Sequence, residues 1–173
     1  MSGLGFENFM KELFEEAGFE TYNPDKRALL HRAETNQYLK INKEKAQYAI
    51  ERRSGREVNW TAVSSRYILD HIYKVDHAVT TFAAGESKKV AFQISLNETD
   101  AGGKYAEIRR LHNNGAYADI FDSVVYLRCQ EGTKQGGAWW TEDEKEEIIS
   151  QLYDIVDRAC LATMPFEIIL RLP

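Results

Sequence analysis

Two neighbouring apolar segments near the middle of the chain constrain its fold more than any other feature. They lie in the stretch YKVDHAVTTFAAGESKKVAFQISLN, residues 73–97. A short turn built on Gly85 and Glu86 separates them, and apolar residues alternate along the second segment, as in a half-buried β-strand. The apolar positions are Val75, Ala78, Val79 and Phe82 in the first segment and Val90, Phe92, Ile94 and Leu96 in the second. The pattern predicts two adjacent strands of one sheet.

Two polar residues interrupt these strands. Gln93 and Ser95 share one face of the second strand, opposite Phe92 and Ile94, because successive side chains point to opposite sides. Asp76 stands at the head of the first strand, so its carboxylate and the Gln93 amide can meet at one point. Carboxylates and amides brought together in this way hold a hard cation or a polar ligand. The alternative is that Asp76 merely ends a strand and Gln93 lies on a solvated face.

The size and composition of the chain indicate one folded domain, residues 1–173. Its 173 residues, 43% apolar and 12% aromatic, are enough for a sizeable core. No run of about 18 apolar residues occurs, so we expect no membrane span. The segment MSGLGFENF has neither a basic region nor an apolar signal core, which predicts a cytoplasmic protein. We expect Cys129 and Cys160 to be buried thiols.

Charge is distributed unevenly along the sequence, although the net charge is −5. Residues 25–76 contain eleven Lys or Arg against seven Asp or Glu, whereas residues 98–173 contain fourteen acidic and eight basic residues. A basic segment of this kind is either a phosphate-binding surface or a solvated helix face. Aromatic residues within it favour nucleic acid, because bases stack on them. These aromatic residues are Tyr38, Tyr48, Trp60, Tyr67 and Tyr73.

The order of predicted elements indicates an α/β or α+β sandwich around a mixed sheet. The clearest helix begins at Thr141, which forms a capping box with Glu144. No GxSxG, P-loop or GxGxxG motif is present in the sequence, so hydrolase-elbow, NTPase and dinucleotide-binding functions have no support. The other predicted elements are a helix over 5–17, a strand over 19–22, a helical insertion over 25–70, a helix over 104–113, a strand over 120–129, a glycine-rich loop over 131–138 and a strand over 166–172.

Two short motifs resemble those of a nuclease superfamily. The opening GLGFENFMKELFEEAGFETY resembles the first helix and strand of Mrr-type restriction endonucleases. Asp76 followed by the strand VAFQIS resembles the Asp…(Glu/Gln)-x-Lys signature of the PD-(D/E)XK nucleases. The resemblance covers residues 5 to about 129 without the insertion. It implies a restriction-endonuclease-like core of helix, mixed sheet and helix, with the basic insertion, residues 25–70, between the first and second strands.

The resemblance also implies a set of site residues. Asp76 matches the acidic metal ligand, Gln93 the second ligand position, and Glu7 the glutamate that many members carry on the first helix. The carbonyl of Ile94 completes such a site in relatives. Mg²⁺ or Mn²⁺ held by these groups would activate a water and stabilise charge on the scissile phosphate.

The motif departs from the superfamily pattern at the catalytic lysine. Ser95 occupies that position, and a serine supplies no positive charge. Lys104, at the start of the next helix, is the best replacement, which gives Asp76, Gln93 and Lys104 as candidate catalytic residues.

Two main hypotheses follow from this departure, with a plain protein-interaction domain as a third possibility. One is a metal-dependent DNA endonuclease hydrolysing phosphodiester bonds, and the other is a catalytically inactive nucleic-acid-binding or regulatory module on the same fold. Cutting both strands of a duplex would favour a homo-oligomer. The predicted contacts to DNA are Lys40, Lys43, Lys45, Arg52, Arg53, Arg56 and Arg66.

Overall fold

The computed structural model describes residues 3–97, 101–134 and 140–173, and within these ranges the chain is an α/β protein with six α-helices and one five-stranded mixed sheet. The helices are α1 (Gly3–Glu16), α2 (Lys26–Thr35), α3 (Gln37–Ser54), α4 (Ser65–His71), α5 (Ala101–Asn113) and α6 (Glu142–Leu161). The strands are β1 (Glu20–Thr21), β2 (His77–Ala83), β3 (Glu86–Leu96), β4 (Ser123–Gln130) and β5 (Phe166–Arg171). A short 3₁₀ helix covers Trp60–Ala62.

The strands lie in chain order from β1 to β5, antiparallel from β1 to β3 and parallel from β3 to β5. His77 pairs with Phe92, and Ala83 pairs with Glu86 at the hairpin end. The turn is therefore Ala84–Gly85, one residue earlier than expected, and both of its residues have positive φ. This left-handed conformation matches the twist of the two strands in a two-residue hairpin.

Alternation along β3 divides the core between the two faces of the sheet. Val90, Phe92 and Ile94 face α1 and α6, whereas Ala91 faces the layer formed by α2 to α5. We call the apolar cluster between the sheet and α2 to α5 the second core. The helical segment between β1 and β2 therefore has no separate core of its own. It covers the second face of the sheet.

Two buried tyrosines fix the chain just before β2. The Tyr73 hydroxyl donates to the carbonyl oxygen of Leu29 on α2 at 2.6 Å, and the Tyr117 hydroxyl donates to the carbonyl oxygen of Tyr73 at 2.8 Å. Because an unpaired buried hydroxyl or carbonyl would destabilise the fold, these bonds hold residues 72–76 in a defined position.

Several predicted boundaries differ from the structure. β2 begins at His77, not at Val75, whose side chain belongs to the second core. β4 begins at Ser123, because the chain turns over 117–121 after α5. The capping box at Thr141 is confirmed, since its hydroxyl accepts from the Glu144 backbone N–H at 3.2 Å.

Three other sequence-based expectations have mixed outcomes. Cys129 is buried, but Cys160 is only half-buried. The predicted loop over 131–138 lies partly outside the described residues. Within the described ranges, no helix has the length and apolar character to cross a membrane.

Candidate functional site

The site is built around Asp76, which immediately precedes β2. Its backbone N–H donates to the Phe92 carbonyl oxygen at 2.8 Å, and its carboxylate Oδ2 accepts from the Ile94 N–H at 2.6 Å. The residue is only 7% exposed. Because the N–H and C=O of one strand residue point to the same side, the Ile94 carbonyl is also directed toward the strand edge at which Asp76 lies.

Two further carboxylates surround Asp76. The pKa of Asp76 is raised to about 8, chiefly by burial; the negative charges of Glu7 and Asp70 and a hydrogen bond with Asp70 also raise it, whereas the hydrogen bond from Ile94 lowers it. Glu7 comes from α1 and Asp70 from α4, so the layers on both faces of the sheet contribute. The Asp76 carboxyl is therefore largely protonated at neutral pH.

Two cationic side chains, Lys11 and Arg66, accompany these carboxylates. Lys11 follows Glu7 by one turn of α1, and burial lowers its pKa, as does Arg66, while Glu7, Asp76 and Asp70 raise it. Arg66 lies one turn before Asp70 on α4 and donates to the Asn8 side-chain oxygen at 2.9 Å, which joins α4 to α1.

The pKa of Glu7 is shifted by several of the same charged neighbours. Burial raises its pKa and Asp70 adds to this, while Lys11, Arg66 and Lys104 lower it. The candidate lysine from sequence, Lys104, is therefore close to Glu7, whereas Lys11 is close to Asp76 as well.

A cavity of about 210 Å³, which we call the site cavity, is lined by Asp70 and Lys104 of this group, whereas Asp76, Lys11 and Arg66 line a separate cavity of about 140 Å³. The Gln93 side-chain oxygen is buried and has no hydrogen-bond partner among the described residues. Buried polar atoms are nearly always paired, so this oxygen is available to a cation or donor that enters the cavity. The lining residues are Asp70, His71, Lys74, Gln93, Lys104, Glu107 and Ile108.

The donor atoms fit a hard divalent ion such as Mg²⁺, because all of them are carboxylate, amide or carbonyl oxygens. In the described part of the chain, no group of three or more His, Cys, Asp or Glu side chains is arranged to hold a metal ion. An ion here would therefore bind one or two carboxylates together with the Gln93 amide. Waters and substrate phosphate would supply the other ligands, as is common for Mg²⁺.

Ser95 belongs to the second core and not to this group. It is buried, and its hydroxyl is hydrogen-bonded to the Tyr126 hydroxyl at 2.9 Å. Ser95, at the lysine position of the motif, is thus a buried residue that makes a structural hydrogen bond.

The predicted DNA contacts separate into three groups. Arg66 lies in the carboxylate site. Lys43 pairs with Glu34 and lies 5.5 Å from the centre of the Trp60 ring, so its charge is already balanced within the insertion. The remaining residues are exposed, and they are Lys40, Lys45, Arg52, Arg53 and Arg56.

The structure divides the site residues expected from sequence between two cavities, and it adds two that sequence reasoning missed. Gln93 and Lys104 line the site cavity, whereas Asp76, which accepts from the Ile94 N–H and is influenced by the charge of Glu7, lines the other cavity. The missed residues are Asp70 and Lys11. A weak signal for each of them is present in the sequence. Lys11 lies one helical turn after Glu7, and Asp70 lies one helical turn after Arg66.

Comparison of the chain with protein-family models, with curated proteins and with solved structures gives no match.

Proposed function

We propose that this protein is a metal-dependent nuclease that hydrolyses phosphodiester bonds in DNA, on a restriction-endonuclease-like core. The observation that carries the proposal is the buried Asp76 carboxyl hydrogen-bonded with Asp70, which in turn lines the cavity that contains the unpaired oxygen of Gln93. Holding a buried carboxyl group against a second, partly exposed one is unfavourable, and such arrangements are typical of functional sites.

The residues of the site divide into ion binding and charge stabilisation. Asp76 with Asp70 or Glu7, the Gln93 oxygen and the Ile94 carbonyl would hold Mg²⁺ or Mn²⁺. The bound ion would supply an activated water and Lewis-acid stabilisation of the phosphate. Asp76 must first release its proton, because only its ionised form is a good ligand.

Lys11 is the best replacement for the catalytic lysine of the motif, whose position is occupied by Ser95. Its charge acts on Asp76 itself, whereas Lys104 acts on Glu7. Since burial lowers its pKa, the ammonium is poorly solvated and binds a nearby phosphate oxygen more strongly than an exposed lysine would. Arg66 would stabilise the same charge from α4.

The test is cleavage of supercoiled plasmid and of long genomic DNA in Mg²⁺ or Mn²⁺. We expect nicking or linearisation by the wild type, loss of at least about 100-fold in rate for Asp76→Asn and for Lys11→Met, and no change for Asp154→Asn. Asp154 is a matched control because it is an exposed carboxylate on α6. Cleavage by Asp76→Asn at the wild-type rate would contradict the assignment.

A second candidate function, a nucleic-acid-binding or regulatory module without cleavage, is favoured by Ser95. Its hydroxyl is committed to Tyr126, so the motif lacks its own cation on β3. This function predicts salt-sensitive DNA binding with no cleavage by the wild type in either ion between pH 7 and 9. A homo-oligomer remains a prediction for the nuclease, and light scattering of the purified protein would measure its mass.

A further inference from the structure

One aromatic residue of the basic insertion is far more exposed than the others. The Tyr48 side chain on α3 is 65% exposed, whereas Tyr73 is fully buried. Tyr38, Trp60 and Tyr67 are partly buried and pack against the second core. So exposed a ring contributes little to that core, and its face is open to a ligand.

Cations flank this ring along the helix. Lys45 precedes Tyr48 by three residues and Arg52 follows it by four, so all three lie on one side of α3. Ile41, 42% exposed, continues the same side one turn before Lys45. Apolar and cationic side chains therefore alternate along an exposed strip, which we call the α3 strip and define as Ile41, Lys45, Tyr48 and Arg52.

The α3 strip is continuous with the candidate active site. A second cavity of about 180 Å³ is lined by Lys45 and Arg53 from α3, with Tyr67, His71 and Lys74 from the other side. His71 and Lys74 also line the site cavity that contains Gln93. A path of basic side chains therefore leads from Gln93 to Tyr48.

The charge of this path favours a polyanion. None of the residues lining the second cavity is acidic, whereas Asp70 and Glu107 lie at the site-cavity end of the path. Glu51, the acidic residue nearest Arg52 in sequence, accepts hydrogen bonds from the Gln47 side chain and from the Val58 N–H. Its carboxylate is thus engaged within the insertion, and Glu44, one turn before Tyr48, is an exposed acidic side chain on the same side of α3.

The exposed Tyr48 ring favours binding of an unpaired strand over binding of a duplex. In a duplex the faces of the bases are covered by their neighbours, so an aromatic side chain on the protein surface adds little to binding. An unpaired base has a free face and stacks on such a ring, while cations on either side bind its phosphates.

We propose, on the basis of the nuclease function proposed above, that the substrate carries an unpaired strand and that α3 binds this strand. Tyr48 stacks on a base, and Lys45, Arg53 and Lys74 bind the phosphates that lead to Gln93. The preferred substrate is accordingly single-stranded DNA, or duplex DNA with an unpaired end, rather than an uninterrupted duplex.

The test measures binding without cleavage, by fluorescence anisotropy in EDTA. The probes are labelled oligo(dT), an abasic strand of the same length, and a duplex of the same length. We expect the wild type to bind oligo(dT) more tightly than the duplex. Tyr48→Leu should weaken oligo(dT) binding by at least about 5-fold and leave abasic-strand binding unchanged. Phe82→Leu is the matched control, because Phe82 is 72% exposed at the far end of β2.

Charge is tested separately. The combined change Lys45→Gln, Arg53→Gln and Lys74→Gln should reduce the slope of log affinity against log salt by about 2 for oligo(dT), at about 0.7 per phosphate contact. The proposal is refuted if Tyr48→Leu binds oligo(dT) like the wild type, if the duplex binds more tightly, or if no probe binds. These outcomes are distinct from failure of the nuclease function, which is measured by cleavage with Asp76→Asn and leaves Tyr48 intact.

Discussion

The carboxyl group of Asp76 should give the protein an unusual dependence of stability on pH. Its pKa is raised from the ordinary 3.8 to about 8, chiefly by burial. The folded state therefore keeps a proton that the unfolded chain releases. This stabilising contribution is fully present below about pH 3.8 and is lost as pH rises toward about 8.

The size of the effect follows from the shift. Each pH unit in this window lowers the free energy of unfolding by about 1.4 kcal/mol, because one more proton is bound in the folded state. Between pH 5 and pH 8 the loss is about 4 kcal/mol. Asp76→Asn should abolish it, since an asparagine can still accept from the Ile94 N–H and donate to Asp70, yet it does not ionise.

The assay is urea unfolding of wild type and Asp76→Asn at pH 5, 6, 7 and 8 in EDTA. The free energy of unfolding of the variant, minus that of the wild type, should increase by about 4 kcal/mol across this range. Asp154→Asn should give the wild-type profile, because that carboxylate is exposed. Parallel profiles for Asp76→Asn and the wild type would show that Asp76 is ionised in the folded protein, and this would refute the reasoning.

Three further predictions concern ion binding and local structure. The affinity for Mg²⁺, measured by calorimetry, should rise by up to about tenfold per pH unit below pH 8, because the ion displaces the Asp76 proton; an affinity independent of pH would contradict this. Ser95→Ala should lower the free energy of unfolding in urea by about 1–3 kcal/mol, since it removes the partner of the buried Tyr126 hydroxyl. Thr141→Ala should lower it by about 1 kcal/mol through loss of the capping box, and an unchanged urea midpoint would count against that role.

Local patterns in the sequence were sufficient for the elements near the site. The β2–β3 hairpin was recognisable because side-chain alternation and a glycine turn depend only on neighbouring residues. The same alternation correctly put Gln93 on the face opposite Phe92. The α6 cap was likewise evident, because a capping box is complete within four residues.

Assembly of the carboxylate group was decided by the tertiary structure. A helical pattern identifies the buried side of α1 or α4, but it does not say which end of the sheet each helix approaches. Asp70 and Lys11 therefore looked like ordinary surface charges, although both lie close enough to Asp76 or Glu7 to alter their pKa values.

Burial and partners also separated residues that look alike in sequence. Lys43 and Lys45 are two positions apart on α3, yet Lys43 is neutralised by Glu34 and Lys45 lines an open cavity. The sequence by itself determined which local elements form, because hydrogen bonding and alternation act between near neighbours. Only the tertiary structure decided which charges lose their water and which meet, because desolvation and Coulomb energy depend on distances through space.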